Sequence, residues 1–294
     1  MSFDELRAFL AVAEHQSFIG AATALGVART SLRRQVDALE ARVGVALFER
    51  GRAGAILTEA GRQLVERGRG LEREFTALLG AVRDVGATPS GLVRMLLPVG
   101  LPRSALAPLI AMSRRTWPDM RIATRFADAP LTAPLGDVDL LVWFGDGAPP
   151  GSWECHTVAD APLRLLAAPA YLQRRGAPTS LDALAEHDLL VWTPGGGEPT
   201  LTTRAGARIA VHAALSSSDV DLLHDCAQRG LGLAWVPDGG VPSDRAAIQP
   251  VLSELVGAPC ELRVAAPEAL ARTPRVKAYL DSVDALRALA MGGG

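Results

Sequence analysis

Residues 17–44 read Ser17-Phe18-Ile19-Gly20-Ala21-Ala22-Thr23-Ala24-Leu25-Gly26-Val27-Ala28-Arg29-Thr30-Ser31-Leu32-Arg33-Arg34-Gln35-Val36-Asp37-Ala38-Leu39-Glu40-Ala41-Arg42-Val43-Gly44. Ser17 suits an N-cap, and Phe18, Ala21, Ala22 and Leu25 follow at helical spacing. Gly26 fits the position just past that helix, where a positive φ is cheap only for glycine. A second helix follows, with Leu32, Val36, Leu39 and Val43 as its apolar stripe. Two short helices joined by a tight glycine-containing turn make a helix-turn-helix. With Leu32 as the inward direction, Thr30, Arg34, Asp37 and Ala41 point outward and Arg33 lies to one side. The free face of the first turns therefore carries Arg29, Thr30, Ser31, Arg33 and Arg34, with no acid between Arg29 and Arg34. Such a helix end suits the major groove, where arginine pairs with guanine O6 and N7. Gln35 sits nearer the buried edge, placed to bond a phosphate. On an isolated helix the same face would read as merely solvated; its setting argues otherwise.

Upstream, Ser2-Phe3-Asp4-Glu5 is a capping box, and Leu6, Phe9, Leu10 and Ala13 form one apolar face behind it. Downstream, Ala46–Arg50 and Ala55–Leu57 flank Gly51-Arg52-Ala53-Gly54, a short hairpin whose tip carries Arg50 and Arg52. Thr58 then caps a long helix. Along it Leu57, Gly61, Leu64, Gly68, Leu71, Phe75, Leu78, Val82 and Val85 alternate steps of 4 and 3, the pattern of a coiled-coil seam. Packing of that helix on its own domain is the alternative. Thr88–Gly91 reads as a linker. Beyond it strands and helices alternate: strands at 92–99, 120–126, 138–144, 163–168, 189–192, 231–236 and 260–266, helices at 104–116, 219–229 and 274–289, and a hairpin near 200–214. That alternation predicts a largely parallel sheet covered by helices.

Of 294 residues 49% are hydrophobic and 21% charged, which excludes disorder as the main state. Net charge is −2, and of the 30 cations only Lys277 is a lysine. Residues 1–90 hold 12 arginines against 11 acids, so the charge balance alone does not separate nucleic-acid binding from other functions. No apolar run is long enough to span a membrane, and the acidic start lacks the layout of a signal peptide. Cys155, Cys226 and Cys260 make neither a disulfide framework nor a zinc site, so a reducing cytoplasm is expected. Enzyme signatures are weak. Gly195-Gly196-Gly197 lacks the Lys-Ser/Thr of a phosphate loop, and the five histidines are scattered. Neither a catalytic set, a metal site nor a cofactor is expected.

Several ordered stretches carry a family likeness: Leu6-Arg7-Ala8-Phe9-Leu10, Ser17-Phe18-Ile19-Gly20-Ala21-Ala22, Ser31-Leu32-Arg33-Arg34-Gln35-Val36, Leu47-Phe48-Glu49-Arg50 and Leu57-Thr58-Glu59-Ala60-Gly61. Further on come Ala168–Leu172, Gly230–Pro237 and Pro274–Asp281. In these the chain resembles the LysR-type transcriptional regulators over nearly its whole length. The resemblance implies an α/β protein with a winged helix-turn-helix at 1–57, a linker and dimerisation helix at 58–90, and an effector domain of two α/β halves. That domain would be similar to periplasmic binding proteins, with one half at 91–161 plus 268–294 and the other at 162–267. The implied partners are double-stranded DNA, a small-molecule effector (a carboxylate or aromatic metabolite) held between the halves, and further copies in a homodimer or homotetramer. Strand ends then nominate Pro98, Gly100, Leu101, Arg103, Ser104, Asp128, Phe144, Thr193, Ser216, Ser217 and Pro237 for the effector. Free N–H groups before the helix at 219 would suit an anion or a carbonyl oxygen. Trp143, Trp192 and Trp235 are expected near that cleft, at the inner ends of strands, each packed in the core sooner than stacked on a ligand.

The chain departs from the family pattern at Ala28, usually a serine cap. It departs again at Arg29 and Arg33, usually Gln and Ser, and at Asp37, often basic. Pro130 and Pro134 fall where a short helix is usual. The competing reading is a small-molecule-binding or catalytic α/β protein whose N-terminal helices only dimerise it.

Overall fold

The computed structural model describes residues 2–49, 55–83, 88–239 and 248–292, and for residues 73, 76–77, 80–83, 103–105 and 284–292 only the backbone. The chain divides into two compact units: residues up to Arg83 with Pro134–Asp137, and the remainder.

The first unit is built from α1 (Phe3–His15), α2 (Phe18–Leu25), α3 (Arg29–Val43) and the long α4 (Glu59–Arg83). The capping box forms in full: Glu5 N–H donates to Ser2 Oγ at 3.2 Å and Ser2 N–H to Glu5 Oε2 at 2.8 Å. Ser17 accepts from Gly20 N–H, and Gly26 ends α2 at φ 65°. Leu6, Phe9, Val12, Ala21, Leu32, Val36 and Leu39 are buried together as the core. Val43, assigned above to the same stripe, is 44% exposed; it is the last residue of α3, where Gly44 turns left-handed and the chain leaves the core. The hairpin stem is present, with Phe48 bridging Leu57 and Glu49 N–H donating to Ile56 O at 2.8 Å. Its tip, with Arg50 and Arg52, lies outside the described residues.

The α4 seam divides in two. Thr58 Oγ1 accepts from Gly61 N–H at 3.1 Å and starts the helix. Gly61 abuts Leu47 O, Leu64 packs on the first unit's core, and Gly68 abuts Leu6. The first half of the seam therefore serves this chain's own domain, as the alternative reading of the helix had it. Phe75 stacks on Phe3 at 4.1 Å between centroids, while Leu71, Leu78 and Leu79 stay about half exposed.

The second unit has two sheets. The first half holds β1 (Gly91–Pro98), α5 (Arg103–Thr116), β2 (Met120–Ala127), β3 (Leu140–Phe144) and β4 (Trp153–Asp160). The second half holds β5 (Leu163–Ala167), α6 (Pro169–Arg175), β6 (Leu189–Trp192), the hairpin of β7 (Thr200–Thr202) and β8 (Arg208–Ala210), β9 (Ala213–Ser217), α7 (Val220–Gln228), β10 (Leu233–Pro237) and β11 (Gln249–Pro250). The chain then returns to the first half through β12 (Glu261–Pro267), α8 (Glu268–Ala271) and α9 (Pro274–Gly292). Strand order is β2-β1-β3-β12-β4 in one sheet and β11-β5-β10-β6-β9 in the other.

Two expectations change. The sheets are mixed: β2, β1 and β3 run parallel, as do β9, β6 and β10, but β12, β4, β5 and β11 pair antiparallel. A strand that enters from the other half arrives from the opposite direction, so it cannot extend the parallel set. β12 also belongs to the first half, between β3 and β4, so the second crossover lies before Glu261 and not at 267/268. The two crossovers run side by side: Leu163 N–H donates to Ala258 O at 2.8 Å and Ala161 N–H to Cys260 O at 2.9 Å. At Pro130 and Pro134, where the family pattern has a short helix, one 3-10 turn forms, Pro130–Thr132.

Candidate nucleic-acid interface and ligand cleft

The outer face of α3 is set by what its inner face buries. Leu32, Val36 and Leu39 are at most 1% exposed, which turns Arg29, Thr30, Arg33 and Arg34 to solvent and leaves Ser31 and Gln35 half-buried at the edges. Ala28 provides no side-chain cap, and α3 has no acid in its first turn. The helix N-terminus thus keeps its positive end unneutralised beside three arginines, a fit for phosphate and base edges. Two clamps fix how α3 sits. Glu40 Oε1 accepts from the N–H groups of Leu47 and Phe48, at 2.6 and 3.1 Å, tying α3 to the hairpin stem. Arg42 pairs with Glu5 at 3.2 Å, tying it to α1. The Ser2 N–H bond lowers the pKa of Glu5 most; burial opposes this and Arg42 adds to it.

The residue types alone did not reveal a further arrangement on this face. Arg33 lies over the Phe18 ring, with its Cζ 4.7 Å from the centroid, and its Nε is 3.3 Å from Asp37 Oδ1. The i,i+4 spacing of Arg33 and Asp37 was the available signal. A groove of about 860 Å³ borders this side of α3, lined by Phe18, Arg33, Asp37, Ala41, Val45 and Glu49 among others.

In the second unit the two halves meet at three places. A Cβ on Gly100 would lie 2.2 Å from Val220 N and 2.7 Å from Asp219 Oδ1, so the turn after β1 sits directly on the start of α7. Phe144, at the end of β3, meets Trp192, at the end of β6, edge-on at 5.8 Å. A Cβ on Gly195 would lie 3.1 Å from Ala129 Cβ, so the loop after β2, next to exposed Asp128, faces the loop after β6. Gly195, Gly196 and Gly197 all have positive φ in that loop, and a strand rather than a helix follows them.

The nominated residues separate accordingly. Gly100, Phe144, Thr193 and Ser217 come together around this junction: Thr193 N–H donates to Ser217 O at 2.9 Å, and Ser217 Oγ accepts from Asp219 N–H at 3.0 Å. Pro98 and Leu101 are buried beneath it, Ser216 is exposed, and Pro237 is buried with its carbonyl 3.0 Å from His224 Nε2. Arg103 and Ser104 begin α5, but their side chains lie outside the described residues. The anion site expected at the start of α7 is not open. Asp219 caps that helix through Leu222 N–H at 3.0 Å, and its own carboxylate supplies the negative charge there.

Of the three tryptophans expected at the cleft, only Trp192 lies at the junction. Trp143 is 1% exposed and bonds Gly147 O, and Trp235 is buried in the second half's core. Both point to the opposite strand face from Phe144 and Val236, as a period of two dictates. Cys260 and Cys155 are poor nucleophiles: burial pushes Cys260 up to about 11 and raises Cys155 as well. Among the described residues no helix is long and apolar enough to cross a membrane, and no His, Cys, Asp or Glu group is arranged for a metal.

Comparison with known proteins gives the family. Residues 3–62 match the bacterial regulatory helix-turn-helix protein, lysR family, and residues 86–288 match the LysR substrate binding domain. The chain is 26% identical over 239 residues to the HTH-type transcriptional activator TtdR of Escherichia coli (strain UTI89 / UPEC), covering 78% of this chain and 75% of TtdR. It is 28% identical over 255 residues to the HTH-type transcriptional regulator CrgA of Neisseria meningitidis serogroup C, covering 85% of each. The structure of CrgA, a LysR-type transcriptional regulator from Neisseria meningitidis, superposes with a TM-score of 0.59 at 25% identity, over 97% of this chain and 99% of that one. The chain belongs to the LysR family of DNA-binding transcriptional regulators.

Proposed function

We propose that this regulator acts in the cytoplasm as a homodimer or a dimer of dimers, without catalytic activity, and that a small molecule seated between the halves of its second unit sets how it engages DNA. Residues 1–57 would read DNA and 58–90 would pair two chains. Arg29, Thr30, Arg33 and Arg34 would face the major groove, Ser31 and Gln35 would contact its edges and phosphates, and Arg50 and Arg52 would follow the backbone from the hairpin tip. The observation that carries this reading is the exposed arginine face of α3, held rigid by Glu40 and Arg42. The half-exposed Leu71, Leu78 and Leu79 support pairing through the far part of α4.

The effector would bridge Gly100, Phe144, Thr193 and Ser217, with Pro98, Leu101 and Pro237 behind them and Arg103, Ser104, Asp128 and the exposed Ser216 at the rim. Ligand contacts to both halves would select one relative placement of them. The acid at Asp219 shifts the expected ligand away from a carboxylate at the α7 end and leaves the α5 end for one. Selection of genomic fragments on the purified protein tests the whole reading. One fragment should bind far tighter than bulk DNA, with log K falling steeply against log salt. Retention of every fragment at the level of random DNA would refute it.

A further inference from the structure

We propose that Asp37 and Phe18 are positioning residues that hold Arg33 as a guanine reader, so that α3 requires a guanine in each half-site beyond the bases met by Arg34. The inference rests on the reading of α3 as the major-groove helix and deepens it. Three observations meet at this side chain. Phe18 is anchored, packing on the first unit's core and edge-on against Phe48 at 5.8 Å. The Arg33 guanidinium lies over that ring at 4.7 Å, within reach of a cation–π contact. Asp37 takes the guanidinium at Nε, at 3.3 Å.

The atom that Asp37 takes matters. Guanine presents O6 and N7 side by side, and an arginine meets them with two parallel N–H groups. With Nε occupied by Asp37, the two terminal nitrogens remain as that parallel pair. The ring below and the carboxylate beside restrict a long side chain that is 60% exposed and would otherwise sample many rotamers. Arg33 and Asp37 are also two of the positions where the recognition helix departs from the family pattern. A lone carboxylate on this face would repel phosphates; bonded to Arg33 it gives orientation instead.

The rival account is that Asp37 simply cancels the Arg33 charge. In that case its removal raises affinity for all DNA alike. Selection of bound duplexes from a random-sequence pool, using the full-length chain, separates the two. Wild type should enrich a motif with guanine fixed at one position per half-site. Arg33→Ala should leave that position degenerate and the rest of the motif intact. Asp37→Ala should cut the guanine preference there by about 10-fold while affinity for unrelated DNA holds or rises. Asp37→Ala made in the Arg33→Ala background should change that position no further. Both side chains are more than half exposed, so neither change disturbs the core. An unaltered motif in Arg33→Ala, or full guanine preference in Asp37→Ala, overturns the inference while leaving the regulator reading standing. A wild-type protein that enriches no sequence overturns both.

Discussion

Arg34 stands opposite buried Leu32 on α3 and has no structural partner to justify its place among the hydrogen bonds and ion pairs described. Its replacement by alanine should cost specific DNA binding about 1–3 kcal/mol and leave thermal stability unchanged. Equal operator affinity for mutant and wild type, measured by fluorescence anisotropy, would show that another face of α3 reads the bases. Glu5 has the opposite character, since it holds the scaffold. Its folded pKa lies below the ordinary carboxylate value, chiefly through the Ser2 N–H bond. The stability it adds is therefore complete above the unfolded carboxylate range and is lost as pH falls through that range toward the folded pKa. Glu5→Gln should flatten the acid limb of the thermal-stability profile, and an unchanged limb would mean that other carboxylates govern it. At this scale the sequence was most informative where one residue has one local job. Ser2, Ser17, Gly26 and Thr58 all cap as read. The Phe18–Arg33 contact escaped because it joins two helices and helical spacing describes only one helix at a time, whereas the Arg33–Asp37 pair lies within α3 at the i,i+4 spacing.

The long helix α4 shows how a repeat can be correctly seen and still serve two ends. Gly61 has no room for a Cβ, which would lie 2.2 Å from Leu47 O, whereas a Cβ on Gly70 meets nothing within 4 Å. Gly61→Ala should therefore cost about 1–3 kcal/mol through overpacking, outweighing the helix propensity it gains. Gly70→Ala should gain up to about 1 kcal/mol. Thermal melts in which both substitutions act alike would contradict the close packing of α4 on the hairpin stem. Farther along, Leu78 is 56% exposed, and Leu78→Asp should shift sedimentation toward a smaller species with the first unit still folded. An unchanged oligomer would remove α4 as the pairing element. The steps of 4 and 3 were legible from the sequence. The partner of each step was not, because an apolar stripe looks the same against its own domain and against a second chain.

In the second unit, the alternation of strands and helices announced an α/β unit and the family resemblance its two halves, but the direction of the returning strands was hidden. Nothing in the residues of β12 marks its sheet, and the paired crossovers at Ala161–Leu163 and Ala258–Cys260 decide which one it enters. The paired crossovers leave the junction between halves to Gly100, Phe144 and Trp192. A panel of small carboxylate and aromatic metabolites should include one that changes tryptophan fluorescence saturably. Trp192→Phe should remove most of that change, since Trp143 and Trp235 are buried in the cores, Trp117 packs on Tyr279 and Trp153 bonds Pro150 O; a signal that survives Trp192→Phe would place the ligand elsewhere. The claim on which the rest depends is that two copies of this chain present their α3 helices to one duplex. A footprint on the tightest selected fragment tests it most directly. The account predicts two protected half-sites related by a two-fold axis and separated by whole turns of about 10 base pairs. A single unpaired protected site, or protection no stronger than on random DNA, would contradict it.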